Sequence, residues 1–140
     1  ADGLAYPNGI AFNLDYTVLY VTETGLDRLI RFDFRPDGTA GERHMLVEFP
    51  KGSVPDGMKV DCEGNLWVAV HAFGEIWRLS PDGRKLGTVK LPTKYVTNLV
   101  FGGPGRDVIY VTAFDEITAP TGSVYMIPAG VCGAPVLPPE

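Results

Sequence analysis

Pro55-Asp56-Gly57-Met58-Lys59-Val60, then Leu66-Trp67-Val68-Ala69-Val70, then Ile76-Trp77-Arg78-Leu79, closing on Pro81-Asp82-Gly83, is the stretch on which the fold turns. It holds three short apolar runs separated by turn residues. The middle run is apolar throughout, the pattern of a strand buried on both faces. The Pro-Asp-Gly closure supplies turn chemistry, with Pro presetting φ and Gly permitting φ > 0. Gly87-Thr88-Val89-Lys90-Leu91 follows as a fourth strand.

Working outward, the same order recurs on both sides. Upstream lie Pro7-Asn8-Gly9-Ile10-Ala11-Phe12, Leu19-Tyr20-Val21-Thr22-Glu23, the alternating Leu29-Ile30-Arg31-Phe32-Asp33-Phe34, the turn Pro36-Asp37-Gly38 and a fourth run, Met45-Leu46-Val47-Glu48-Phe49. Downstream lie Thr97-Asn98-Leu99-Val100-Phe101, Val108-Ile109-Tyr110-Val111-Thr112 and Ser123-Val124-Tyr125-Met126-Ile127. Asn8 to Asp56 is 48 residues and Asp56 to Asn98 is 42, a period that fits the blade of a β-propeller. No segment keeps helical periodicity. The expected fold is all-β: three four-stranded blades, half of a six-bladed β-propeller. Residues 1–140 form a single partial domain, with blades at about 6–50, 54–93 and 96–137. Ile10, Phe12, Leu19, Val21, Trp67, Trp77, Phe101, Tyr110, Val111 and Tyr125 are expected to fill the spaces between blades.

Composition agrees. A 45% hydrophobic content supports a packed core. The 29 Gly and Pro residues are dispersed as punctuation, as many short strands require. The net charge of −5 comes without any basic block, which argues against nucleic acid or an anionic membrane as partner. No apolar run reaches the roughly 20 residues of a membrane span. Cys62 lies in a turn and Cys132 far from it, in no redox or zinc spacing; free thiols are expected, with a disulfide the alternative. A strand pattern begins almost at Ala1 and no signal peptide is visible, as expected of a chain cut, processed or split from something longer. A cytoplasmic location is favoured.

Asn8, Asp56 and Asn98 precede the innermost strand of each repeat, so their side chains are expected to meet at one mouth of the channel. Oxygen ligands on a rigid ring suit a hard cation such as Ca²⁺ or Mg²⁺. The antiparallel second strand returns Glu23, Thr24, His71, Phe114 and Asp115 to the same mouth. Asn and Asp before Gly are also common turn formers, and on pattern alone both readings stay open. Asp37 and Asp82 join outer strands and read as plain turn residues. His44 reads as solvated surface, and a lone His71 reads first as structural.

The string from Gly3 through Thr24, Pro55-Asp56-Gly57-Met58 with Gly64-Asn65-Leu66-Trp67-Val68-Ala69, and Thr97 through Thr112 resemble three successive elements of the regucalcin/gluconolactonase/luciferin-regenerating-enzyme family. The resemblance implies a six-bladed propeller, a divalent cation on its axis (Ca²⁺ foremost, with Zn²⁺, Mg²⁺ or Mn²⁺ accepted) and hydrolysis of a small-molecule lactone or ester. It implies Asn8 and Asp56 as metal ligands, Asp56 as the catalytic carboxylate and Asn98 as a position near the site; with His71, Glu23 and Thr24, placed there by strand direction, Asn98 is an expected pocket residue. The family's other ligands, a Glu and a further Asn, have no counterpart here, so one copy is expected to carry an incomplete site. The apolar ends of a three-blade arc imply a homodimer or a complementary N-terminal half. Two rival readings are a non-catalytic propeller module for binding or assembly, and a strictosidine-synthase-like propeller, which the Asn8-Gly9 and Thr22-Glu23-Thr24 elements also fit.

Overall fold

The computed structural model describes residues 2–118 and 121–135. Its strands form three antiparallel sheets in chain order. The first sheet is β1 (Pro7–Phe12), β2 (Val18–Glu23), β3 (Arg28–Phe34) and β4 (Ala40–Glu48). The second is β5 (Pro55–Val60), β6 (Leu66–Val70), β7 (Glu75–Leu79) and β8 (Lys85–Lys90). The third is β9 (Tyr95–Gly102), β10 (Val108–Phe114) and β11 (Ser123–Pro128). The first strand of each sheet approaches the first strand of the next, β1 against β5 and β5 against β9.

Packing explains the sequence pattern. Tyr20, Leu29 and Phe49 of the first sheet pack with Met58, Val60, Leu66, Val68 and Leu79 of the second. Trp67, Ala69 and Ile76, from the other face of the second sheet, pack with Val96, Leu99, Ile109, Val111 and Ala113 of the third. Strand β6 therefore has both faces covered, and every one of its residues is buried. That is why its sequence shows no alternation. Each fully buried Val, Leu or Ile contributes about 1.5–3 kcal/mol, so the middle sheet is where the fold gains most.

The residues expected between sheets divide. Trp67 and Val111 are buried between sheets. Ile10, Phe12 and Tyr110 instead lie on the outer faces of the first and third sheets, Ile10 being 60% exposed. The register makes these faces equivalent to interior ones. Ile10 opposes Val21 as Met58 opposes Val68, and Leu19 opposes Phe32 as Leu66 opposes Leu79. The outer face of the first sheet thus carries the positions that the second sheet uses to pack onto the first.

Two expectations are corrected at the third sheet. It has three strands among the described residues, not four. After β11 the chain turns back to the second sheet instead of adding a strand: Gly133 bridges Asp61, and the Ala134 amide donates to the Val60 carbonyl at 3.0 Å. The expected end of this blade, at 137, lies outside the described residues. The cysteines are also not free thiols. The same return brings the Cα atoms of Cys62 and Cys132 to 5.4 Å and they are bonded as a disulfide, a separation within the ordinary bridging range.

Candidate active site

The site is built where the first strands meet. A hydroxyl stitches the first sheet to the second: Thr22 Oγ1 donates to the Asp56 main-chain carbonyl at 2.9 Å and accepts from the Gly9 amide at 2.6 Å. Thr24 Oγ1 donates to the Pro55 carbonyl at 2.6 Å. Both bonds hold the start of β5 in place. Gly9 and Gly57 permit the close approach, because a Cβ on Gly9 would collide with the Asp56 carbonyl and one on Gly57 with the Asn98 amide.

The Asp56 side chain rests in this frame, largely buried. Burial pushes its carboxyl above the ordinary carboxylate value; the charge His71 can carry, a hydrogen bond with the Asn8 side chain and the Gly57 amide only partly offset that. Asn8 and Asp56 are therefore brought together, from neighbouring first strands.

His71 is placed beside them but engaged elsewhere. Its Nδ1 lies 3.0 Å from the Val96 carbonyl and 3.7 Å from Asp56 Oδ2. A carbonyl only accepts, so Nδ1 donates in this contact. The ring stacks on Tyr95 at 5.0 Å and tilts against Phe114 at 5.6 Å. Thr24 and His71 each open a turn of 3-10 helix after the second strand of their sheet. Each bonds the carbonyl at the start of the next sheet, so His71 serves the sheet boundary as Thr24 does.

Asn98 and Glu23 depart from expectation. Leu99 opposes Val111 as Met58 opposes Val68, which sets Asn98 level with Gly57 and Thr97 level with Asp56. The Asn98 amide lies against Gly57 and accepts from the Leu99 amide at 2.9 Å. It borders the site without being the counterpart of Asp56. Glu23 does not line a pocket. Its side chain is fully buried, paired with Arg28 Nε at 2.6 Å and accepting from the Ala5 amide at 2.8 Å. The Arg28 hydrogen bond leads in holding its carboxyl below the ordinary value, against burial. The structural part of Thr22 is not legible in the sequence; its one signal there is a small hydroxyl residue in a largely apolar strand.

The donor chemistry fits a hard cation: one carboxylate and one amide, side by side. It supplies a part of the six to eight oxygens that Ca²⁺ takes. Among the described residues, no group of three or more His, Cys, Asp and Glu gathers at one point. No described helix is long and apolar enough to cross a membrane.

Residues 1–115 match the SMP-30/gluconolactonase/LRE-like region. The chain is 39% identical over 111 residues to 6-deoxy-6-sulfogluconolactonase of Pseudomonas putida, covering 78% of this chain and 38% of the relative. It is 33% identical to human regucalcin over 132 residues, covering 92% of this chain and 44% of the relative. Among solved structures, a luciferin-regenerating enzyme superposes with a TM-score of 0.83 at 32% identity, over 94% of this chain and 48% of that one. The chain thus spans less than half the length of the relatives it matches. The outer strands, the start of β5 and the match to this region agree: the chain belongs to the SMP-30/gluconolactonase/LRE-like family.

Proposed function

We propose that this chain forms part of a metal-dependent lactone hydrolase, with Asp56 as its reacting carboxylate. The observation that carries the reading is the largely buried Asp56 side chain at the junction of two sheets, 3.7 Å from His71 and beside Asn8. Lactonases among the relatives support the substrate class. Asn8 and Asp56 would hold a divalent cation, Ca²⁺ foremost, which supplies Lewis acidity toward a lactone carbonyl. Asp56 takes a proton from the attacking water. Water oxygen adds to the carbonyl carbon, the ring C–O bond breaks, and the proton held on Asp56 passes to the leaving ring oxygen. The product is the open hydroxy acid. Thr22 and Thr24 hold the backbone of Asp56 in register throughout.

The three sheets read as three blades of a six-bladed propeller. Closure by a second copy, or by a complementary half, would complete the oxygen shell around the cation. The interior-like outer face of the first sheet supports this assembly. The test is hydrolysis of glucono-1,5-lactone by the purified protein, with and without chelator, followed by acid release. Turnover that is lost with chelator and restored by a divalent cation supports the reading. Turnover indifferent to chelator, or no turnover on any aldonolactone, overturns it. Light scattering decides the assembly: a stable monomer at micromolar concentration overturns closure by a second copy.

A further inference from the structure

Thr24 and His71 occupy the same place in successive sheets. Each follows the last residue of a second strand, and each bonds a carbonyl at the start of the next sheet, Pro55 for Thr24 and Val96 for His71. The register makes those two carbonyls equivalent. Pro55 opposes Val70 as Val96 opposes Ala113, each two residues along the second strand from the matched pairs Met58–Val68 and Leu99–Val111. Stitching such a boundary takes only a hydroxyl, as Thr24 shows. The imidazole at position 71 brings more than the stitch uses, and the surplus lies against Asp56.

The ring is braced on several sides. Tyr95 and Phe114 are directly opposed across β9 and β10, with ring centroids 5.2 Å apart, and the His71 ring packs on both, at 5.0 and 5.6 Å. Its Nδ1 is tied to the Val96 carbonyl. The backbone behind the ring is confined as well. The turn that His71 opens ends at Gly74, which lies so close to the Thr93 carbonyl that a Cβ there would collide. All these contacts run between the second sheet and the third or the segment leading into it, so they are independent of what covers the outer faces of the first and third sheets. The braced ring stands 3.7 Å from Asp56 Oδ2. That is beyond hydrogen-bonding distance but within van der Waals contact. A rigid neighbour at that range restricts the rotamers open to a short carboxylate side chain.

We infer that His71 is a positioning residue for Asp56: its braced ring limits how the carboxylate can turn and keeps it beside Asn8. The task so prepared, holding a cation and taking a proton, rests on the lactonase reading. The positioning itself is testable without metal or turnover. Groups that orient a metal ligand typically cost ten- to a hundred-fold in affinity or activity when removed.

Three-bond NMR couplings in isotope-labelled protein report the χ1 rotamer of Asp56, and two variants separate positioning from stitching. His71→Thr keeps a bond to Val96 in the manner of Thr24 and removes the ring. His71→Phe keeps the ring on Tyr95 and Phe114 and removes the bond. One Asp56 rotamer is expected in the parent and in His71→Phe, and averaging between rotamers in His71→Thr. Stability to urea should follow the opposite order, with His71→Thr near the parent and His71→Phe lower, because the Val96 carbonyl loses its donor. Ca²⁺ affinity by calorimetry should fall about ten-fold in His71→Thr. A single Asp56 rotamer in a folded His71→Thr, or averaging in the parent or in a folded His71→Phe, overturns the inference. Ca²⁺ binding as tight in His71→Thr as in the parent overturns it too. The expected rotamer pattern in a protein that neither binds Ca²⁺ nor opens a lactone supports the role of His71 and overturns the lactonase reading instead.

Discussion

Asp56 Oδ2 lies 3.7 Å from His71 Nδ1, but that nitrogen gives its proton to the Val96 carbonyl, 3.0 Å away. The His71 ring thus also holds the second sheet to the third. The Asp56 carboxylate bears its desolvation with help first from the charge His71 can carry, then from Asn8 and the Gly57 amide. A carboxylate whose desolvation is only partly offset by its neighbours is suited to take a proton or a cation.

Asp56→Asn is expected to lower lactone turnover by about 10²- to 10⁴-fold, the usual contribution of a positioned general base. Circular dichroism should show the fold retained. Asp82→Asn is the control: that carboxylate sits in a turn of the same tripeptide, bonded to the Ser80 hydroxyl, and turnover should be unchanged. A fully active Asp56→Asn removes the residue from the mechanism.

The pH dependence follows from the direction of the Asp56 shift. Its carboxyl is raised from 3.8 in the folded state. The folded chain therefore holds this proton more tightly than the unfolded chain. The associated stability is fully present below 3.8 and is lost as pH rises through the folded value. At neutral pH the charged group is a liability, so Asp56→Asn should melt higher than the parent at pH 7, an advantage that shrinks toward pH 3. A melting difference that is flat in pH would contradict the assignment.

Glu23 gives the opposite sign. Its carboxyl is lowered from 4.5, first by the Arg28 hydrogen bond. Its stabilising contribution is present above 4.5 and lost as pH falls through the lower folded value. Arg28→Ala should cost about 3 kcal/mol in urea unfolding at pH 7, because it strands a buried carboxylate. Glu23→Ala with undiminished stability would restore the residue to the list of free site groups.

The Cys62–Cys132 bond closes a sequence separation of 70 residues. A cross-link of that reach is worth roughly 4 kcal/mol in the chain-entropy account. Reductant, or Cys132→Ser, should lower the melting temperature and loosen the third sheet first, read by amide exchange in β10. Such bonds persist in oxidising compartments. Equal melting with and without reductant would show the bond to be dispensable.

Much of this was legible in the sequence because burial writes itself into strand patterns. The unbroken apolar run of β6 announces a sheet covered on both faces, and the covering sheets are there. The adjacency of Asn8 and Asp56 was readable from the repeat. Asn98 was misaligned by one residue, because each first strand carries an irregularity in register near its start, and counting along the chain does not reveal where the extra residue falls. Glu23 was misread because strand direction tells where a residue lies, while its burial depends on Arg28 and Ala5, whose approach is tertiary. The disulfide was hidden for a similar reason. Nothing in a spacing of 70 residues tells that the chain after Pro128 turns back toward Val60.

That return has a consequence for the order of events during synthesis. A chain made from its N-terminal end completes the first and second sheets before Cys132 exists. Until the segment from 129 to 135 is made, the Cys62 amide and the Val60 carbonyl lack the partners they later find in Cys132 and Ala134, and Cys62 remains a thiol. Contacts so distant along the chain form late, since loop closure must precede them. The final step for these residues is the docking of a late-made strap onto the middle of the molecule, and oxidation then seals it.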